Sequence, residues 1–140
     1  MDEKDLKILR ELEANARASF IEIGKKLKMS ESAVRKRVRK LERDGVIERY
    51  TIIVNPAKLG YNTVSIIGLD VAPEKYLETI DRLAGMDGVK SVIVSTGDHM
   101  IMAEVWSKDA KDLSDFVLKK IGQLEGVSRV CPAIILERRK

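Results

Sequence analysis

The chain has 140 residues, of which 44% are hydrophobic and 34% charged, a balance typical of folded globular proteins rather than disordered or membrane-spanning ones. No apolar run approaches the roughly 20 residues that cross a bilayer. The acidic, amphipathic N-terminus is unlike a signal or transit peptide, and a single cysteine excludes an internal disulfide framework. We therefore expect a cytoplasmic protein with no membrane partner.

The positive charge is unevenly distributed along the chain. Residues 1–55 contain 14 Lys and Arg against 10 Asp and Glu, whereas residues 56–140 contain 12 of each. The whole net charge of +4 therefore lies in the first part. This asymmetry indicates that one part meets a polyanion while the other has a different task. Proteins of thermophiles also carry many surface ions, so charge alone does not decide the function.

Three amphipathic helices are predicted in the first 45 residues. The first, over residues 2–15, repeats apolar residues on one face, namely Leu6, Leu9, Leu12 and Ala16, with Ile8 at its side. The second begins after Ser19, and Glu22 completes the pattern of a capping box. After a very short turn, Ser30 caps a third helix with an apolar stripe of Val34, Val38 and Leu41, which ends at Asp44 and Gly45. This arrangement predicts a helix-turn-helix.

A β-branched segment and a linker follow the helices. Residues 46–54, VIERYTIIV, predict a strand or small wing, and Asn55 with Pro56 then breaks the pattern. We accordingly predict a winged-helix-like DNA-binding domain over residues 1–54, a linker over 55–62 and a second domain over 63–140.

The second domain has a βαββαβ pattern. Its predicted elements are a strand over 63–71, a helix opened by Pro73, strands over 89–95 and 99–106 joined by a turn at Gly97 and Asp98, a helix capped by Asp109, and a strand over 127–137. The exit of the first helix into a strand is echoed 38 residues later by the exit of the second. Two βαβ halves predict a ferredoxin-like sheet with both helices on one face, so the whole chain is α+β.

The third helix has the character of a recognition helix. Opposite its apolar stripe stand Lys and Arg side chains, which neutralise phosphates, while small residues at its start can approach base edges. The predicted DNA-binding residues are Ser30, Glu31, Ser32, Ala33, Arg35, Lys36, Arg37, Arg39, Lys40 and Arg43. The alternative is a merely solvated cationic face. The helix-turn-helix spacing and the concentration of the chain's excess charge on this helix favour DNA binding.

The chain also resembles a known family, the Lrp/AsnC transcriptional regulators, and its archaeal members most. Residues 2–60, which include DEKDLKILRELEANAR and SESAVRKRVRKLERDGVIERYTIIVNPAKLG, are similar to the family's DNA-binding domain. Residues 63–138, with GVKSVIVSTGDHMIMAEVW and LEGVSRVCPAIILE, are similar to its amino-acid-sensing domain. The resemblance implies a regulator, such as a repressor, that binds double-stranded promoter DNA. It also implies homodimers formed through the C-terminal sheets and assembled into tetramers or octamers.

The resemblance further implies an amino-acid effector, bound between dimers, at Ser95, Thr96, Gly97, Asp98, His99 and Met100. Many relatives have Gly-Asp-Tyr-Asp where this chain has Gly97, Asp98, His99 and Met100. The aromatic residue is therefore a histidine, and the second carboxylate, suited to a ligand's ammonium group, is a methionine. A turn without a ligand explains Gly97 and Asp98 equally well, so both interpretations stand, and we expect weak effector binding or none.

Two other classes of function are alternatives to a specific regulator. Siroheme decarboxylases are similar in architecture, but the chain has no nucleophile–base pair, no phosphate loop and no metal-ligand spacing, and a lone histidine makes no metal site. We expect neither an enzyme nor a resident cofactor or metal. The other alternative is an architectural protein that binds DNA without sequence preference.

Overall fold

The structure, a computed structural model, describes residues 1–139 and divides into two compact units, Met1–Ile53 and Val54–Lys140. The first unit contains three helices, α1 (Glu3–Ala14), α2 (Phe20–Leu27) and α3 (Glu31–Arg43). Each helix begins after an N-cap residue whose side chain accepts a hydrogen bond from an amide of the first turn. These caps are Asp2, Ser19 and Ser30. The predicted caps of α2 and α3 are thus present, and so is the capping box of Ser19 and Glu22.

The core of the first unit joins one face of each helix. It consists of Ile8, Leu12, Ile23, Val34 and Val38. The predicted stripe of α3 is therefore the buried one, whereas Leu6 of α1 is exposed and Leu9 only half-buried. The buried face of α1 instead follows Asp5, Ile8 and Leu12, at i, i+3 and i+7. Because Asp5 is a polar residue on the buried face, the pattern of apolar residues alone predicts a different face of α1 as the buried one.

The strand or small wing predicted over residues 46–54 is wrong. In the described residues 1–139, this segment contains no strand. A strand is completed by hydrogen bonds to a neighbouring strand, and no strand pair among the described residues includes this segment. Ile52 and Ile53 are 81% and 96% exposed, so their β-branched side chains pack on nothing here. Within the predicted linker, Asn55 caps a short 3₁₀ helix, Pro56–Leu59.

The second unit contains a four-stranded antiparallel sheet and two helices. The strands are β1 (Thr63–Val71), β2 (Val89–Val94), β3 (Ile101–Ser107) and β4 (Val127–Ile134), in the spatial order β2-β3-β1-β4. The helices are α4 (Tyr76–Ala84), which follows a 3₁₀ turn at Pro73–Lys75, and α5 (Ala110–Lys119), which is capped by Asp109. The predicted ferredoxin-like α+β fold is confirmed. Two strand ends differ, since β4 stops before Glu137 and residues 95–100 form a six-residue loop instead of a tight turn.

The two helices cover one face of the sheet. Their Leu83, Leu113 and Phe116 pack against Ile67, Leu69 and Val105 of the strands. On the opposite face, Ile66 and Met102 are half-buried and Ile93 is exposed. We call this the uncovered sheet face. Every helix in residues 1–139 is too short or too polar to cross a membrane.

Candidate nucleic-acid interface and effector loop

The two faces of α3 differ in chemistry. Val34, Val38 and Leu41 are buried, and a helix of 3.6 residues per turn then directs the intervening basic residues away from the core. Lys36, Arg39, Lys40 and Arg43 are exposed. Within residues 1–139, the α3 cations that form ion pairs are Arg35, Arg37 and, at 3.7 Å from Asp44, Arg43. Lys36, Arg39 and Lys40 therefore present charges that no carboxylate in this part of the chain neutralises.

The start of α3 is positioned by the turn from α2. The amide of Met29 donates to the carbonyl of Gly24 at 2.8 Å, with Lys28 in the left-handed conformation. A Cβ on Gly24 would lie 2.6 Å from the Met29 carbonyl oxygen, so the close approach depends on glycine. Beyond the turn, Ser30 accepts from the amide of Ala33 at 3.2 Å, and its hydroxyl lies 3.1 Å from that of Ser32. Small polar groups thus surround the N-terminus of α3.

Both acidic side chains of α3 are engaged by neighbours. Glu31 forms an ion pair with Arg35 one turn later, and Glu42 accepts a hydrogen bond from the Tyr50 hydroxyl at 2.8 Å. Partial burial, together with the Glu42 carboxylate, raises the pKa of Tyr50 to about 12. The hydroxyl therefore stays protonated and keeps donating to Glu42 at neutral pH.

Arg37 differs from the other predicted DNA-binding residues. Its Nη1 donates to Asp2 Oδ2 and to Asp5 Oδ1, at 2.7 Å in each case. The amide of Asp2 and the Arg37 guanidinium both lower the pKa of Asp5. These groups border a groove of about 570 Å³, which is also lined by Ala33, Lys36, Lys40 and Arg43. Asp2 and Asp5 are not among the residues predicted from the sequence, although an aspartate at position N3 after an aspartate N-cap resembles a capping box.

The predicted effector residues all lie on one loop, residues 95–100. The amide of Ser95 donates to the Met100 carbonyl at 3.0 Å, and its hydroxyl donates to the His99 carbonyl at 2.6 Å. Gly97 has φ of +150°, which suits glycine. Thr96, Gly97 and Asp98 are exposed, whereas His99 is half-buried. The loop is thus closed by its own hydrogen bonds, and its tip is accessible.

The charged groups of this loop have partners within the second unit. His99 Nδ1 lies 3.2 Å from Asp70 Oδ1, and its ring covers Gly68, where a Cβ would overlap the imidazole. Arg129 Nη1 lies 3.8 Å from Asp70 Oδ2 and 3.6 Å from Asp98 Oδ1. Gly68, Asp70 and Arg129 were missed because they belong to β1 and β4, and only the antiparallel register brings them to this loop.

Comparisons with known proteins agree for both parts of the chain. Residues 1–48 match the family model for winged helix-turn-helix DNA-binding, and residues 64–140 match that for the Lrp/AsnC ligand binding domain. The chain is 52% identical to the HTH-type transcriptional regulator LrpA of Pyrococcus horikoshii, over 100% of this chain and 99% of that protein.

Solved structures have the same fold. The chain is similar to AsnC of Escherichia coli, with a TM-score of 0.89 and 26% identity, over 100% of this chain and 95% of the other. A transcriptional regulator of Neisseria meningitidis, solved as a complex with L-Met, gives a TM-score of 0.93 at 22% identity and covers 100% and 92% of the two chains. At that identity the second comparison concerns the fold alone.

The similar proteins are named as transcriptional regulators, which favours a regulator over an enzyme. In residues 1–139, no group of three or more His, Cys, Asp or Glu side chains is arranged to hold a metal ion. The helix-turn-helix, the ligand-binding domain and the full-length match lead to one conclusion. The chain belongs to the Lrp/AsnC family of DNA-binding transcriptional regulators.

Proposed function

We propose that α3 enters the major groove of promoter DNA. Ser30, Glu31, Ser32 and Ala33 then face base edges at the start of the helix. Lys36, Arg39, Lys40 and Arg43 contact phosphates, and Arg35 lies at the border of the interface. On this proposal, residues 1–54 are the DNA-binding domain, 55–62 the linker and 63–140 the domain for assembly and effector binding. Action on promoter DNA also implies a cytoplasmic location.

The separation of charges on α3 carries this proposal. Its apolar stripe is buried, its two carboxylates are engaged, and three of its cations have no carboxylate partner in residues 1–139. A cationic face needs no ligand in water, but here it lies on the helix that a helix-turn-helix presents to DNA. The exposed charge and the motif agree on one surface, which favours a DNA interface over a solvated face.

Footprinting tests this proposal. A two-fold dimer requires a nearly palindromic site with half-sites about one helical turn apart. We expect protection of such a site to survive an excess of unrelated competitor DNA. Protection of a single half-site by a monomer would contradict the proposed dimer, and uniform protection of any duplex would support the architectural alternative.

We propose that the uncovered sheet face forms the homodimer, from which tetramers or octamers assemble. Ile66, Met102 and Ile93 give this face an apolar centre that neither helix of the second unit covers, and such faces favour association. Sedimentation of Ile66→Lys is the test, with Leu77→Lys on the exposed side of α4 as the matched control. We expect dissociation for the first variant only. Unchanged sedimentation of Ile66→Lys would contradict the proposed interface.

We propose that loop 95–100 is the amino-acid effector site and that it binds weakly or not at all. The exposed Asp98 can accept from a ligand's ammonium group, but Arg129 lies near it and His99 covers Gly68. Met100 supplies no second carboxylate, and loss of one charge-assisted hydrogen bond costs about 1.5–3 kcal/mol, roughly ten- to a hundredfold in affinity. Calorimetry with the twenty amino acids is the test. A micromolar ligand that also changes operator affinity would contradict weak binding.

A further inference from the structure

The N-terminus of α1 is fixed to the middle of α3 by one guanidinium and two carboxylates. Arg37 Nη1 donates to Asp2 Oδ2 and Asp5 Oδ1 at 2.7 Å each. The two aspartates also hold each other, since the amide of Asp2 donates to Asp5 and the amide of Asp5 donates to Asp2, at 2.8 Å and 3.0 Å. We call Asp2, Asp5 and Arg37 the clamp. Its carboxylates serve two purposes at once, as caps of α1 and as partners of α3.

The clamp is a built feature and not a chance surface pair. Asp5 is only 7% exposed, and a carboxylate so placed is retained where charged partners and hydrogen bonds compensate for its lost water. Asp5 lies on the face of α1 that packs into the core through Ile8 and Leu12. An apolar residue at this position would extend the core, whereas the aspartate instead pairs with α3.

Arg37 is poorly suited to bind a phosphate. Two carboxylates face its single positive charge, so a phosphate that approached it would meet a locally negative site. Lys36 and Lys40, on either side of it along α3, have no such partners among residues 1–139. Arg37 therefore differs from the other basic residues of α3, although the sequence alone predicts that it binds DNA as they do.

We propose that Arg37 is a positioning residue, which with Asp2 and Asp5 fixes the angle at which α3 enters DNA. This inference rests on the proposed function of α3. Base readout depends on the angle of the helix, because hydrogen bonds to base edges tolerate little displacement, whereas phosphate attraction is far less directional. Loss of the clamp therefore reduces discrimination between sequences. Loss of a phosphate contact weakens binding to all sequences alike.

Binding of the full chain to two duplexes tests this inference over a range of salt concentrations. One duplex carries the tightest sequence selected from a random library, and the other is unrelated. The variants are Asp5→Asn and Asp2→Asn, which can still accept the capping hydrogen bonds but lose the charge, and Arg37→Ala. Glu13→Gln removes an exposed acid elsewhere on α1 and is the matched control. Lys40→Ala is the reference for a phosphate contact.

We expect Asp5→Asn, Asp2→Asn and Arg37→Ala each to reduce the ratio of specific to unrelated affinity by about fivefold, with an unchanged salt dependence. By electrostatics alone, removal of an acid near DNA would tighten binding. The loss of specificity that we expect for the two aspartate variants is therefore not explained by their change in charge. Glu13→Gln should leave the ratio unchanged. A clamp that served stability alone would lower the melting temperature and leave the ratio intact.

Two kinds of result would overturn the inference, and a third would overturn the proposed DNA interface. Arg37→Ala could lower the salt slope by about one unit for each protomer of the proposed dimer and leave the ratio unchanged, which identifies a phosphate contact. Asp5→Asn and Asp2→Asn could bind both duplexes more tightly, or keep the wild-type ratio. Finally, if Lys40→Ala also keeps the wild-type affinity and slope, the proposed DNA interface itself is wrong. The reference variant thus separates failure of the clamp from failure of the proposed function.

Discussion

The exposed face of α3 and loop 95–100 both carry charged side chains, but those of α3 lack partners of opposite charge and those of the loop have them. On α3, Lys36, Arg39 and Lys40 have no carboxylate partner among residues 1–139. In the loop, Asp98 lies 3.6 Å from Arg129 of β4, and His99 lies 3.2 Å from Asp70 of β1. Unpartnered charge is available to an external polyanion. Charge that already has a partner adds little to the binding of a further ligand, because the existing contact must first be broken. The comparison explains why we expect DNA binding to be strong and the amino-acid response weak.

The largest expected effect comes from the turn that sets α3 in place. Gly24→Ala would bring a Cβ to 2.6 Å from the Met29 carbonyl oxygen. Such overpacking costs about 1–3 kcal/mol, so we expect a lower melting temperature and strongly reduced DNA binding. Gly85→Ala is the control, because its Cβ would meet its nearest atoms at 3.7 Å. Wild-type stability and binding of Gly24→Ala would show that the turn can relax.

Sequence preference should change with the residues at the start of α3. Ser32 is exposed beside the cap formed by Ser30. A lysine there can donate to guanine in the major groove, and one good base contact is worth about 1–3 kcal/mol. We expect Ser32→Lys to select a different operator from a random library, and Lys40→Ala to select the original one. The same operator from both variants would place base readout elsewhere.

The loop should respond to restoration of the missing carboxylate. Met100→Asp would add an acceptor beside Asp98, and one charge-assisted hydrogen bond corresponds to roughly ten- to a hundredfold in affinity. We expect calorimetry to detect amino-acid binding by this variant but weak binding or none by the wild type. Met100→Asn is the control for charge, because it adds an uncharged acceptor and should gain less affinity. If Met100→Asp gains nothing, the effector site lies elsewhere.

The smallest effect is expected from acid on the clamp, because Asp2 and Arg37 are partly exposed and solvent weakens their attraction. Hydrogen bonds from backbone amides, followed by Arg37, hold the pKa values of Asp2 and Asp5 below the usual 3.8. Depressed pKa values stabilise the fold above pH 3.8, and this contribution is lost as the pH falls through the lowered values. Denaturant unfolding at several pH values should therefore show a weaker acid dependence for Asp5→Asn than for wild type. Equal dependence would contradict the role of the ion pair.

The sequence predicts features that depend on neighbours along the chain. The stripe of α3, the caps Ser19 and Ser30 and the bounds of β1 follow from periodicity and capping, and the structure has them. It does not predict features that depend on distant partners. Residues 46–54 have a strand's composition but no neighbouring strand in the described part of the chain. Arg37 is one example, because it pairs with two aspartates 32 and 35 residues away. The sequence alone predicts a DNA contact for this residue.

The salt dependence of operator binding tests the central claim most directly. Each Lys or Arg that neutralises a phosphate adds about one unit to the slope of log affinity against log salt. We predict that the triple variant Lys36→Ala, Arg39→Ala, Lys40→Ala, which removes three contacts from each protomer of the proposed dimer, loses about five units of slope, while the loop variant Asp98→Asn keeps the wild-type slope. An unchanged slope for the triple variant would contradict the assignment of α3 as the DNA-binding surface.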